Sequence, residues 1–115
     1  MDRISRTATV VTPLLFVVAA SCGALGRQAV HQLAPNWQAL LIVNIAGSFV
    51  LGMVIDGDLS RQTVTVLGVA FCGSLTTFSG FALELRHQPR RRAIGYAALM
   101  TTTTCAAAAL GMLLV

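Results

Sequence analysis

Gly73-Ser-Leu-Thr-Thr-Phe-Ser-Gly-Phe81 is the stretch on which the reading of this chain turns. Two glycines and four hydroxyl side chains interrupt an apolar run long enough to cross a bilayer. Backbone that leaves a helix in hydrocarbon has no water to bond to. It survives only where protein buries it or a polar path runs beside it. The stretch therefore predicts a helix broken inside a membrane and marks the break as a candidate ion or solute site. About ten residues of the run precede Gly73, roughly 15 Å of helix, which places the break near the middle of a roughly 30 Å core.

Outward from the break, four apolar segments are visible: about Val10 to Leu33, Trp37 to Ile55, Thr63 to Leu85 and Ala93 to Val115. Each reaches the length of a spanning helix. Breakers stand at the joints: Ala34-Pro-Asn36, Asp56-Gly-Asp58 and Gln88-Pro-Arg90. Of the 115 residues, 56% are hydrophobic and only 10% charged. A soluble domain would carry charge on about a quarter of its residues. The expected fold is one all-α integral membrane domain over residues 1–115, with no repeat and no room for a soluble unit.

The net charge of +4 comes from eight arginines and no lysine. Most of them flank apolar spans, which excludes a nucleic-acid surface. Arg90-Arg91-Arg92 reads as a lipid-headgroup anchor and orientation signal. Arg3 and Arg6 followed by an apolar run to Ala19-Ala-Ser-Cys22 imitate a cleavable signal. The run continues to Leu33 and three spans follow, so an uncleaved helix is expected. Cys22, Cys72 and Cys105 all fall within spans and show no metal spacing; they read as small packing residues.

With four spans, Arg3, Arg6 and Arg61 lie on one side, against Arg86 and Arg90 to Arg92 on the other, joined by Arg27 if it reaches the surface. So even a distribution gives a weak orientation signal, and opposed insertion is open. Four short helices do not easily enclose a pore, so an oligomer is expected.

In the second span, Asn44 sits near mid-membrane, and steps of three or four carry its face through Gly47, Ser48, Leu51 and Gly52. That face is small enough for close helix packing. The Asn44 amide either bonds a neighbouring helix or turns an N–H toward a conducted ion. Phe78 and Phe81 share a face once the helix resumes. Their positive ring edges can contact a small anion without trapping it, although two phenylalanines in such a helix also serve as core or lipid contacts. The carbonyls freed by the break suit a cation such as Na⁺, with a two-fold axis through the break doubling their number. Glu84 reads either as an ion pair with Arg86 or another arginine, or as a vestibule group. Arg27, which shares a face with His31, either snorkels or sets a positive potential at an anion entrance. In the fourth span, which also holds Tyr96, Thr101 to Thr104 either bond their own preceding carbonyls or line a polar track beside the phenylalanines.

These pieces together resemble the Fluc (CrcB) family of fluoride channels. The matching text is Val43-Asn44-Ile-Ala-Gly47-Ser-Phe49 with Gly52, then Phe71-Cys-Gly73-Ser-Leu-Thr76-Thr77-Phe78-Ser79-Gly-Phe81 with Glu84, then Ala93 and Tyr96. The resemblance covers the whole chain. It implies an antiparallel, dual-topology dimer in the inner (plasma) membrane, with two fluoride pores along the subunit interface. It implies passive, selective export of F⁻ that lowers fluoride toxicity, and no enzyme chemistry. By match of motif, Asn44, Phe78 and Phe81 would line the fluoride path, with hydroxyls from Thr77, Ser79, Tyr96 and Thr104. Arg27 and Glu84 would stand at the vestibule. The carbonyls of Gly73 and Thr76 would hold a structural Na⁺ on the dimer axis.

This chain departs from the family's pattern in several places. Ala39-Leu40 replaces a Gly-Thr pair, Gly80 stands for a threonine, and Met100 takes the first of two hydroxyl positions after Tyr96, with Thr104 at the second. Arg27 falls about a turn early, where the family's arginine would meet Val30. Each departure removes a pore contact or an entrance charge. Two rival functions follow. One is a non-conducting or half-degenerate subunit that needs a paralogue as heterodimer partner. The other is a small four-helix proton-coupled exporter, which would need a carboxylate deep in a span.

Overall fold

The chain opens with α1, Asp2–Leu33, and turns at Ala34-Pro35 into α2, Asn36–Asp56. The computed structural model describes residues 2–115, with side chains for Arg3, Arg6 and Val11 onward. Pro35 and Pro89 stand immediately before α2 and the last helix, with φ of −56° and −57°. A proline ends the preceding helix and is preset for the next, which is why both turns are so short.

The third span is built in pieces. It starts as α3, Arg61–Val64, capped by Ser60, whose hydroxyl accepts the Thr63 N–H at 3.2 Å. It runs on as a π-helix, Thr65–Cys72, and closes with one α-helical turn, α4, Gly73–Leu75. Thr76 and Thr77 then leave the helix, at φ −82°, ψ 158° and φ −149°, ψ 121°. The helix resumes as α5, Phe78–His87, and α6, Arg90–Leu113, follows.

Four helical segments are long and apolar enough to cross a membrane: Val11–Leu33, Asn36–Asp56, Arg61–His87 and Arg90–Leu113. They overlap the four spans expected from the sequence. The interruption does fall within the third, but of the glycines and hydroxyls expected to make it the glycines take no part. Gly73 is helical, at φ −63° and ψ −35°, and Gly80 lies inside α5. Among the described residues no glycine has a positive φ. The break belongs to the two threonines, and the reason is hydrogen-bond supply. A glycine that leaves a helix abandons backbone groups, whereas a threonine brings a hydroxyl to replace them. Thr76 Oγ1 donates to the Cys72 carbonyl at 2.9 Å, alongside the Thr76 N–H at 3.0 Å. Thr77 Oγ1 accepts the Gly80 N–H at 3.1 Å and so caps the resuming helix.

The most extensive packing is α2 on α6, and α1 packs chiefly on the π-helix and α4. α2 also packs on the third span and on α1, and α5 touches α6; the molecule measures 59 × 29 × 20 Å. Gly47 and Gly52, expected to form one packing face, serve different neighbours. A Cβ at Gly47 would run into Thr76, and one at Gly52 into the Ala108 carbonyl of α6. Five residues along a helix rotate a side chain by about 140°, so the two positions face apart.

Candidate functional site

The break is held by one side chain. Asn44 of α2 accepts the Thr77 N–H on Oδ1 at 2.9 Å and donates through Nδ2 to the Thr77 carbonyl at 3.3 Å. In an unbroken helix the Thr77 N–H would go to the carbonyl of Gly73, four residues back. Asn44 takes that N–H away, so the interruption and the asparagine are one feature. Nδ2 also reaches Met100 Sδ on α6, at 3.5 Å. Asn44 is thereby buried with partners on both neighbouring helices.

Around this clamp lies a cleft of about 390 Å³, bordered by α2, the third span and α6. It brings together Asn44, Gly73, Thr76, Thr77, Phe78, Phe81 and Thr104 of the residues singled out in the sequence. Phe78 is 81% exposed. Its ring meets Phe81 edge-on, with centroids 6.1 Å apart at 67°. Phe81 in turn lies 5.6 Å from Tyr96, and Tyr96 lies 6.4 Å from Trp37 in a T-shaped pair. The four rings form a ladder from the cleft to the start of α2. Tyr96 closes it by donating its hydroxyl to the Trp37 carbonyl at 2.7 Å.

Four expected site residues stay outside the cleft lining. Ser79 is exposed, with its hydroxyl 3.4 Å from that of Thr77. Tyr96 meets the cleft through Phe81 and Met100, which line it. Arg27 is half-buried on α1. Glu84 is bound by two amides rather than by an arginine: it accepts from Asn36 Nδ2 at 2.7 Å and from Gln88 Nε2 at 3.1 Å. It thus staples α5 to the start of α2, a role that neither sequence reading of Glu84 included. In the threonine run, Thr103 Oγ1 donates to the Leu99 carbonyl at 2.6 Å and Thr104 Oγ1 to the Met100 carbonyl at 2.7 Å. Their protons are therefore spent on their own helix. Gly68 and Cys72 also line the cleft; the first was not singled out and the second was read only as a packing residue. Their signal was spacing: Gly68, Cys72 and Thr76 recur every fourth residue.

Residues 14–115 match the sequence profile of a family described as "CrcB-like protein, Camphor Resistance (CrcB)". The chain belongs to the CrcB family. It is 37% identical over 78 residues to the fluoride-specific ion channel FluC 2 of Rhodococcus jostii, covering 64% of this chain and 68% of that one. It is 34% identical over 96 residues to FluC 2 of Haloarcula marismortui, covering 78% and 81%. It is 33% identical over 116 residues to FluC of Gloeothece citriformis, covering 89% and 94%. The family and the four spans together describe a multi-pass membrane protein.

Two of this CrcB chain's departures from the family pattern meet in space. A Cβ at Gly80 would lie 3.0 Å from Leu40 Cδ2 and 3.1 Å from Thr77 Cγ2. Leu40, fully buried against Tyr96 and Met100, fills the room that a larger residue 80 would need. Gly80→Thr alone is expected to destabilise the fold by about 1–3 kcal/mol through overpacking. Leu40→Thr alone also destabilises, by opening the core. The double variant should lose less than the sum of the two, because each relieves the other. Thermal unfolding of the four proteins in detergent measures the coupling, and additive losses would exclude it.

Proposed function

We propose that this chain is a fluoride-selective channel subunit that lets F⁻ leave the cytoplasm passively. The observation that carries the reading is that Phe78, Phe81 and the Asn44 amide line one cleft beside a backbone break. Ring edges and a neutral N–H stabilise an anion weakly enough to release it, which conduction requires. The printed names of the relatives, each a fluoride-specific ion channel, support the same choice of ion.

The assembly proposed is a dimer in the cell inner membrane, antiparallel and inserted in both orientations. The cleft is open to the surface, and a second copy would close it. The break also supports a cation. The Thr77 N–H is diverted from the Gly73 carbonyl, and the extended Thr76 turns its own carbonyl out of the helical direction. A Cβ at Gly73 would meet nothing within 4 Å. Neutral oxygen donors of this kind suit Na⁺. Gly73 and Thr76 would supply part of its shell, with the rest coming from the second subunit. The ion would supply fixed positive charge that locks the two breaks together.

A second reading is favoured by Leu40 and Met100. Both are buried where the family pattern has hydroxyls, so this subunit's polar track is filled with apolar side chains. Such a chain would suit a heterodimer with a paralogue in which one pore conducts poorly. Purified protein in fluoride-loaded liposomes separates the two. Rapid, voltage-driven efflux at an F⁻ electrode, without Cl⁻ efflux, is expected of a homodimeric channel. Efflux only after co-reconstitution with a paralogue would assign the second reading, and none in either case would refute both.

A further inference from the structure

The hydrogen-bond donors around the cleft are not held equally. Tyr96 and Thr104 hydroxyls donate to carbonyls at 2.7 Å, and Thr76 does so at 2.9 Å. Asn44 Nδ2 is held less firmly than these, because its second partner is the Met100 thioether at 3.5 Å. A thioether sulfur is a weak acceptor. An anion binds the same N–H through a charge-assisted bond, roughly twice as strong as a neutral one. Of these four side chains, the one whose donor an arriving anion displaces most easily is therefore Asn44, at the N–H that Met100 holds.

Met100 is suited to letting go. Its side chain is unbranched and polarisable, and such chains refill irregular space at little cost. It is buried against Leu40 and Tyr96, with Phe81 alongside, and it also borders the cleft. Without the sulfur, one amide N–H in a buried site would stand unpaired whenever the anion is away.

We propose that the Met100 thioether is a displaceable stand-in for the anion at the Asn44 amide, so that residue 100 sets this chain's fluoride affinity and the ease of release. The proposal rests on the channel reading above. In the wild type, each F⁻ must replace an N–H···S contact and yields to it on leaving. In Met100→Leu, of nearly the same volume, the anion meets an unpaired N–H and gives back nothing. It should bind more tightly and leave more slowly.

The test is fluoride efflux from proteoliposomes against fluoride concentration, for wild type, Met100→Leu, Asn44→Ala and the double variant. Met100→Leu is expected to lower the half-saturating concentration by about three- to tenfold, as one modest hydrogen bond predicts, and to lower maximal flux. In the Asn44→Ala background the substitution should shift neither. A merely structural role for Met100 would move maximal flux alone and would do so in both backgrounds. Met100→Ala, which also removes the sulfur, serves if the leucine variant does not assemble. Wild-type efflux with the same half-saturation in the variants overturns the role of Met100 and leaves the channel standing. No efflux from the wild type at any concentration, alone or with a paralogue, overturns both.

Discussion

Asn44→Asp is expected to abolish fluoride efflux while the protein still folds and assembles. The substitution keeps one of the two jobs that Asn44 performs. A carboxylate oxygen can still accept the Thr77 N–H, now 2.9 Å from Oδ1, so the break keeps its main tether. The donor side is lost, including the N–H groups now directed at the Thr77 carbonyl and Met100 Sδ. A negative charge replaces them beside the anion path. Two like charges about 4 Å apart repel by about 4 kcal/mol at an effective dielectric of about 20. That corresponds to a roughly thousandfold loss of flux. Asn44→Ala separates charge from geometry. It adds no charge but strands a part-buried Thr77 N–H, which costs about 1–3 kcal/mol. Its flux should fall less than that of Asn44→Asp, while its thermal stability falls more and hydrogen exchange at Thr77 quickens. Efflux from Asn44→Asp within tenfold of wild type would remove Asn44 from the anion path.

How much of this was legible follows from the range of each interaction. The spans read well because their ends are local. Pro35, Pro89 and the Asp56-Gly-Asp58 joint stop helices by steric and solvation effects confined to a few residues. The break was legible as a place, since hydroxyls and glycines in an apolar run are conspicuous. Its agent was not. Glycine and threonine both disfavour a helix, and only the structure shows that Thr76 and Thr77 supply replacement bonds while Gly73 and Gly80 remain helical. The π-helix was invisible, because an unbroken apolar run such as Thr65–Cys72 does not distinguish bonds five residues apart from bonds four apart. Asn44 stood out as a polar residue at depth, yet its partners lie 33 and 56 residues away. A single sequence offers no means to pair them. The Glu84 contact was hidden for the same reason: Asn36, which donates to it, lies 48 residues before it.

The second large effect belongs to the frame that holds these groups. Gly52→Leu and Gly111→Leu are each expected to destroy the folded protein. A Cβ at Gly52 would collide with the Ala108 carbonyl oxygen and lie 2.9 Å from its carbon. One at Gly111 would collide with the Phe49 carbonyl oxygen and lie 3.0 Å from the Met53 nitrogen. These obstacles are backbone atoms of two facing helices, so no side chain can rotate aside. The helices must separate instead. In lipid, little hydrophobic force draws them back, because association depends on close van der Waals packing at small residues. Overpacking in a core costs about 1–3 kcal/mol where side chains yield; against fixed backbone the cost lies at or above the top of that range. Asn44 stands on α2, and Met100 and Thr104 stand on α6, so parting this pair dismantles the cleft as well as the fold. Gly95 provides the control. It lies on the same α6, but a Cβ there meets nothing within 4 Å. Gly95→Ala should leave stability unchanged or raise it by up to about 1 kcal/mol through helix propensity. Size-exclusion profiles and thermal melts in detergent read all three variants. If Gly52→Leu and Gly111→Leu melted like Gly95→Ala, the close approach of α2 and α6 would not be what holds the site together.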